Sequence, residues 1–145
     1  MTRPVAQIVS LVLPVPPSVN KAFASARAGS KFVVKTAAYG FWLREVQGWF
    51  GAGKGLPILA PGPYGMFLTL PRQMRGDIDN RIKLTSDILK RPNGTSWGLG
   101  VVEDDGDMKA LYVEQTRDDK HTIDVIVTTM AAWPELIRDM MELRT

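Results

Sequence analysis

Arg75-Gly-Asp-Ile-Asp-Asn-Arg-Ile-Lys-Leu-Thr-Ser-Asp-Ile-Leu89 packs three carboxylates, an amide and a lysine into one short segment. Gly76 and Asp77 form a stop-and-cap signal, and Ile78, Ile82, Leu84, Ile88 and Leu89 then recur at helical spacing. At about 100° per residue these five cover an arc of roughly 160°, the width of a core-facing stripe. Asp79, Lys83 and Asp87 follow one another at i, i+4, so they project together from the opposite face, with Asp77 beside them at the helix start. An arbitrary helix of this kind is a solvated surface laced with ion pairs. The Asp77-x-Asp79 pair departs from that pattern: it sets two like charges side by side, a repulsion that a hard cation would relieve.

A second acidic group, Glu103-Asp104-Asp105-Gly106-Asp107, follows a Gly-rich connection that carries no acid after Asp87. If a strand beside the helix begins after Gly106, Asp105 would complete a set of oxygen ligands with Asp77 and Asp79. Such a set suits Mg²⁺ or Mn²⁺.

These residues resemble the signature of the RusA-type Holliday junction resolvases, metal-dependent endonucleases of bacteria and their phages. Its Asp-x-Asp-Asn-x-x-Lys helix stands here as Asp77-Ile-Asp79-Asn80-Arg-Ile-Lys83, and its Asp-Asp pair as Asp104-Asp105. Its Pro-x-Pro-Pro-Ser-x-Asn run stands as Pro14-Val-Pro16-Pro17-Ser18-Val-Asn20. The three occur in the family's order and span roughly Val9 to Val127. The chain departs from the pattern at Arg91 to Gly100, a longer connection than in most relatives.

The resemblance implies cleavage of branched DNA, four-way junctions above all. Asp77, Asp79 and Asp105 would bind Mg²⁺, with Mn²⁺ as a substitute, to activate a water for attack on the phosphodiester. Lys83, one turn beyond Asp79, would stabilise the extra negative charge of the transition state. Asn80, Asp87 and Asp104 would orient these groups. A junction has two equivalent strands to cut and one chain carries a single carboxylate set, which implies a two-fold symmetric homodimer. The apolar face of the segment Trp133 to Arg144 and an open sheet edge are the candidate interfaces.

Charge is unevenly placed. Residues 1–76 hold nine Lys or Arg against the single acid Glu45, a net of +8, and residues 77–145 hold nine basic against fourteen acidic residues, a net of −5. A basic half leading into acidic clusters suits a phosphodiesterase, with cations holding the DNA backbone and carboxylates holding the metal. Lys21, Arg27, Lys31 and Lys35, in an acid-free segment, together with Arg72 and Arg75 before the Asp77 helix, are the candidate backbone contacts. There is no cysteine, which excludes disulfides and thiolate chemistry and fits a cytoplasmic protein, and the one histidine excludes a multi-His metal site. No apolar run approaches the ~20 residues of a membrane span. At 145 residues one domain is expected.

The remaining elements follow from period and punctuation. Val5 to Leu13 reads as a buried strand more than an edge one, ended by Pro14, Pro16 and Pro17, and Ser18 to Lys35 as a basic surface loop with a short strand at Lys31 to Val34. Thr36 is the expected N-cap of a helix whose Tyr39, Trp42, Leu43, Val46, Trp49 and Phe50 face the core. Gly48 to Gly55 nearly spells a phosphate-binding loop, but it follows a helix and ends in Gly, so no nucleotide cofactor is expected. Gly55 to Pro63 reads as loop, Tyr64 to Leu70 as a strand, and Arg91 to Gly100 as loop, with Trp97 either touching DNA or plugging that loop onto the body. Met108 to Thr116 and Thr122 to Thr129 read as strands joined by a polar hairpin connection, with His121 on the surface. Pro134 opens a last helix. The sum is an α+β domain in the order β-α-β-α-β-β plus a C-terminal helix, with helices covering a mixed sheet of about four strands. A DNA-binding protein of this fold without cleavage, and a metal-dependent sugar or nucleotidyl transferase, are the other readings; intact acids argue against the first and the short chain against the second.

Overall fold

The computed structural model describes residues 3–17, 23–25, 33–35, 37–51, 55–72, 78–92, 97–103, 107–116, 118 and 120–143, with side chains for all of these but 23–25, 33–35 and 78–80. In chain order the elements are β1 (Val5–Ala6), β2 (Ile8–Pro14), β3 (Phe23–Ser25), β4 (Val33–Lys35), α1 (Ala37–Phe50), β5 (Ile58–Leu59), β6 (Tyr64–Leu70), α2 (Ile78–Leu89), β7 (Met108–Gln115), β8 (Thr122–Thr129) and α3 (Trp133–Glu142). The expected α+β class holds. A four-stranded mixed sheet runs β2-β8-β6-β7, and β1-β5 and β3-β4 form two separate two-stranded pairs.

The sheet is built around β6, whose residues Tyr64 to Leu68 and Leu70 are all buried. It pairs antiparallel with β8 and parallel with β7. Parallel neighbours need a crossover, and α2 supplies it. Because strand side chains alternate, the register puts Met66 and Leu68 on one face with Val125 and Val127 of β8 and Val9 and Leu11 of β2. That face carries the main core, closed by Tyr39, Trp42 and Val46 of α1 and Leu84, Ile88 and Leu89 of α2. Each such buried side chain contributes roughly 1.5–3 kcal/mol relative to exposure.

The other face is covered by α3. Trp133 stands over Gly65, Phe67 stacks on Tyr112 with ring centroids 4.9 Å apart, and the Tyr112 hydroxyl donates to Met141 Sδ at 4.0 Å. The C-terminal helix therefore packs on its own sheet, through residues that are half-buried. Among the described residues no helix is long and apolar enough to cross a membrane.

Several expectations are corrected. The run Val5 to Leu13 is neither a single strand nor a non-edge one. Gln7 splits it, accepting hydrogen bonds from the Thr129 amide and hydroxyl, and β2 then forms a sheet edge with Ile8 and Val12 nearly half exposed. Nor do β7 and β8 form a hairpin, because β6 lies between them. Their connection passes over the end of β6: the Thr116 amide donates to the Leu70 carbonyl and the Arg72 amide to the Asp118 carbonyl. A central strand buried on both faces takes partners at both edges, and a polar connection does not reveal that a strand has been skipped.

Trp49 is 49% exposed, not core. The loop Gly55 to Pro63 contains β5, which pairs with β1. The short strand near Lys31 is β4, running to Lys35, and its partner β3 lacks any clear period. Thr36 lies outside the described residues. The end of the Arg91 to Gly100 stretch joins the core: Leu99 is buried, as are Val101 and Val102 just after it, and Trp97 packs half-buried against the core. The amides of Leu99, Gly100 and Val101 donate to the carbonyls of Ile88, Lys90 and Leu89, satisfying the exposed end of α2.

Candidate functional site

Helix α2 forms where the apolar spacing predicts, and its inward stripe is wider than the hydrophobic residues alone suggest. Thr85 and Ser86 are buried with Leu84, Ile88 and Leu89, and the Thr85 hydroxyl is satisfied by donating to the Arg81 carbonyl at 3.0 Å. Lys83 is exposed, and among the described residues it has no ion-pair partner. Asp87 is half-buried, 3.9 Å from Lys90 Nζ. Burial of the Tyr39 hydroxyl, and second the charge of Asp87, raise the Tyr39 pKa. Asp87 thus acts on Lys90 and Tyr39, two turns beyond Asp79. Asp79 and Asn80 lie in the first turn of α2, their side chains outside the described residues, as is all of Asp77.

Arg81 is a residue that spacing did not single out, since it occupies a variable position of the motif. Its guanidinium donates through Nη1 to the carbonyl of Pro16, and burial lowers its pKa from the ordinary value. A guanidinium stays charged even so. Trp42 Nε1 donates to the Pro14 carbonyl at 2.9 Å. The proline run after β2 is therefore held from two sides, by α1 and by the first turn of α2. No signal in the sequence shows this contact, which joins residues 65 positions apart.

The second acidic stretch joins the described structure elsewhere. Val102 bridges to Lys90, just beyond the last turn of α2, and Val102, Glu103 and Asp107 line a small cleft with Tyr64 at the start of β6. The first stretch lies between Arg72, at the end of β6, and Ile78, at the start of α2. A twelve-residue helix is about 18 Å long, so the flanks of the two stretches stand at opposite ends of α2. Asp104 and Asp105 lie outside the described residues, and among the described residues no group of three His, Cys, Asp or Glu gathers to hold a metal.

Of the basic candidates, Arg72 is exposed while its backbone is fixed: its amide donates to Asp118 and its carbonyl accepts from Gln115 Nε2 at 2.9 Å. Lys35 ends β4, paired with Phe23, with its side chain outside the described residues. Lys21, Arg27, Lys31 and Arg75 also lie outside them. His121 is exposed, as expected, and its carbonyl accepts the Val15 amide at 3.3 Å. Searched against known proteins, the chain matches no family model and no curated protein.

The donors that the motif brings to the start of α2 are carboxylate and amide oxygens, the chemistry a small hard cation takes. A solvent-facing ammonium follows one turn on.

Proposed function

We propose that the protein is a metal-dependent, structure-selective DNA endonuclease that resolves Holliday junctions by symmetric phosphodiester hydrolysis, as its resemblance to the RusA-type resolvases implies. The observation that carries this reading is the docking of one motif on another. Arg81, within Asp79-Asn80-Arg81-Ile82-Lys83, holds the carbonyl of Pro16, within Pro14-Val15-Pro16-Pro17. Two segments that the resemblance ties only by order in the chain are thereby a unit in space. Lys83, exposed and without an ion-pair partner among the described residues, is available to a phosphate.

Asp77, Asp79 and Asp105 would hold Mg²⁺ or Mn²⁺, which when bound supplies charge neutralisation of the phosphodiester and activation of water. Lys83 adds a fixed positive charge where negative charge grows in the transition state. Asn80 and Asp104 orient neighbouring groups, and Arg72, Arg75 and the Lys21 to Lys35 segment bind the DNA backbone without reading sequence. The working form is a homodimer. Because the two acidic stretches join the fold at opposite ends of α2, the dimer also offers a direct way to unite them, Asp79 of one copy with Asp105 of the other. The work belongs in the cytoplasm of a bacterium, on host or phage DNA.

Incubation with a synthetic four-way junction and Mg²⁺ tests the reading. Paired, symmetric cuts are expected. Binding without cuts at any divalent ion would leave a branched-DNA-binding protein, and neither binding nor cuts would remove the DNA reading altogether.

A further inference from the structure

Beside the first turn of α2 lies an open groove of ≈ 330 Å³ whose lining includes Pro16, Phe41, Trp42, Glu45 and Arg81. We propose that this groove takes an unstacked nucleobase from the DNA strand held at α2, with the Phe41 ring as its stacking platform. The proposal rests on the nuclease reading above and adds to it a subsite that the motif residues do not define.

Phe41 is 65% exposed on a helix whose neighbouring Trp42 is buried. The Arg44 guanidinium lies 4.9 Å from the Phe41 ring centroid, so cation and ring form a combined surface of the kind on which bases stack. Glu45 places an acceptor group on the same groove, beside the Arg81 side chain. A base edge presents both donors and acceptors, and a carboxylate accepts from an exocyclic amine. Trp42 Nε1 is occupied by Pro14 and Arg81 by Pro16, which fixes the walls in advance of any ligand. The groove's volume is at the lower end of the ~300–1,000 Å³ typical of small-ligand sites, the size for one base and not for a folded peptide segment. Arg81 stands in the first turn of the helix that carries Asp79, so the groove opens beside that end of α2. At a branch point, bases leave the stack at least cost.

The test uses Asp79→Asn protein, so that binding is read without cleavage, and four-way junctions with either normal or abasic nucleotides at the branch point. Phe41→Ala is expected to weaken binding of the normal junction on the order of tenfold and to leave binding of the abasic junction unchanged. Phe41→Leu, apolar but without a ring, should behave like Phe41→Ala, and circular dichroism should show all variants folded because the side chain is exposed. Equal affinity of the Phe41 variants for the normal junction overturns the proposal, including the case where the groove serves a peptide. If junctions are bound and the unsubstituted protein cuts them, that result removes the base subsite alone; if no form of the protein binds a junction, the nuclease reading falls with it.

Discussion

The indole of Trp133 occupies the space that any side chain at Gly65 would need, with a Cβ built there lying 2.7 Å from Cζ3 and closer still to Cε3. Glycine at this point of β6 is what lets α3 lie flat on the sheet. Gly65→Ala should therefore destabilise the protein by about 1–3 kcal/mol, the cost of overpacking a formed core. Urea unfolding measures it. Trp133→Ala made in the same chain should remove most of the extra cost of Gly65→Ala, because the two residues are coupled through one contact.

Lys83→Ala should lower the single-turnover rate on a four-way junction by on the order of 10²-fold or more, with far less effect on binding. Lys83 is exposed and packs in no core, so thermal stability should stay within about 0.5 kcal/mol of the original. A rate that does not move would make it an ordinary surface lysine.

Asp79→Asn and Asp105→Asn should each abolish cleavage, and an equimolar mixture of the two should recover nicking. In a mixed dimer whose sites each draw on both chains, one site carries both lesions and the other none. Roughly a quarter of all sites are then intact if chains assort at random in a two-fold dimer. Nicking should outpace paired cutting, because no mixed dimer holds two good sites. An inactive mixture that exchanges chains would mean that each carboxylate set comes from a single chain.

Tyr39 is held protonated by burial and, second, by the charge of Asp87. Its folded pKa lies above the ordinary value, so the folded state binds the proton more tightly than the unfolded one. The stabilisation is fully present below about pH 10, the usual tyrosine value, and is lost as pH rises from there through the folded pKa. Tyr39→Phe should remove that part of the alkaline loss of stability. In ultraviolet titration, Asp87→Asn should bring the Tyr39 transition down toward the ordinary value.

How far the sequence discloses the molecule depends on the range of the forces involved. Helix α2, β6 and α3 are legible because their apolar period is local, and each appears within a residue or two of its expected bounds. The position of β6 between β7 and β8 is not local information: a polar connection after Gln115 looks the same whether the next strand is adjacent or one place further. The burial of Val101 and Val102 has no local signature, because they lie in irregular backbone where burial follows no period. At the candidate site, the acids and Lys83 were visible as a pattern of charge. The grip of Arg81 on Pro16 was not, since it depends on how α2 docks beside the end of β2.

Strand β2 pairs only with β8 in the main sheet, Val9 opposite Val127, so the first long strand waits for the last. During synthesis, β6 emerges without either neighbour, a strand of apolar residues with both edges open. Chains truncated before Thr122 would leave β2 and β6 each lacking the strand between them, and contacts spanning nearly the whole chain form slowly because a long loop must close first. A chain halted at that point would expose those edges to association with other chains.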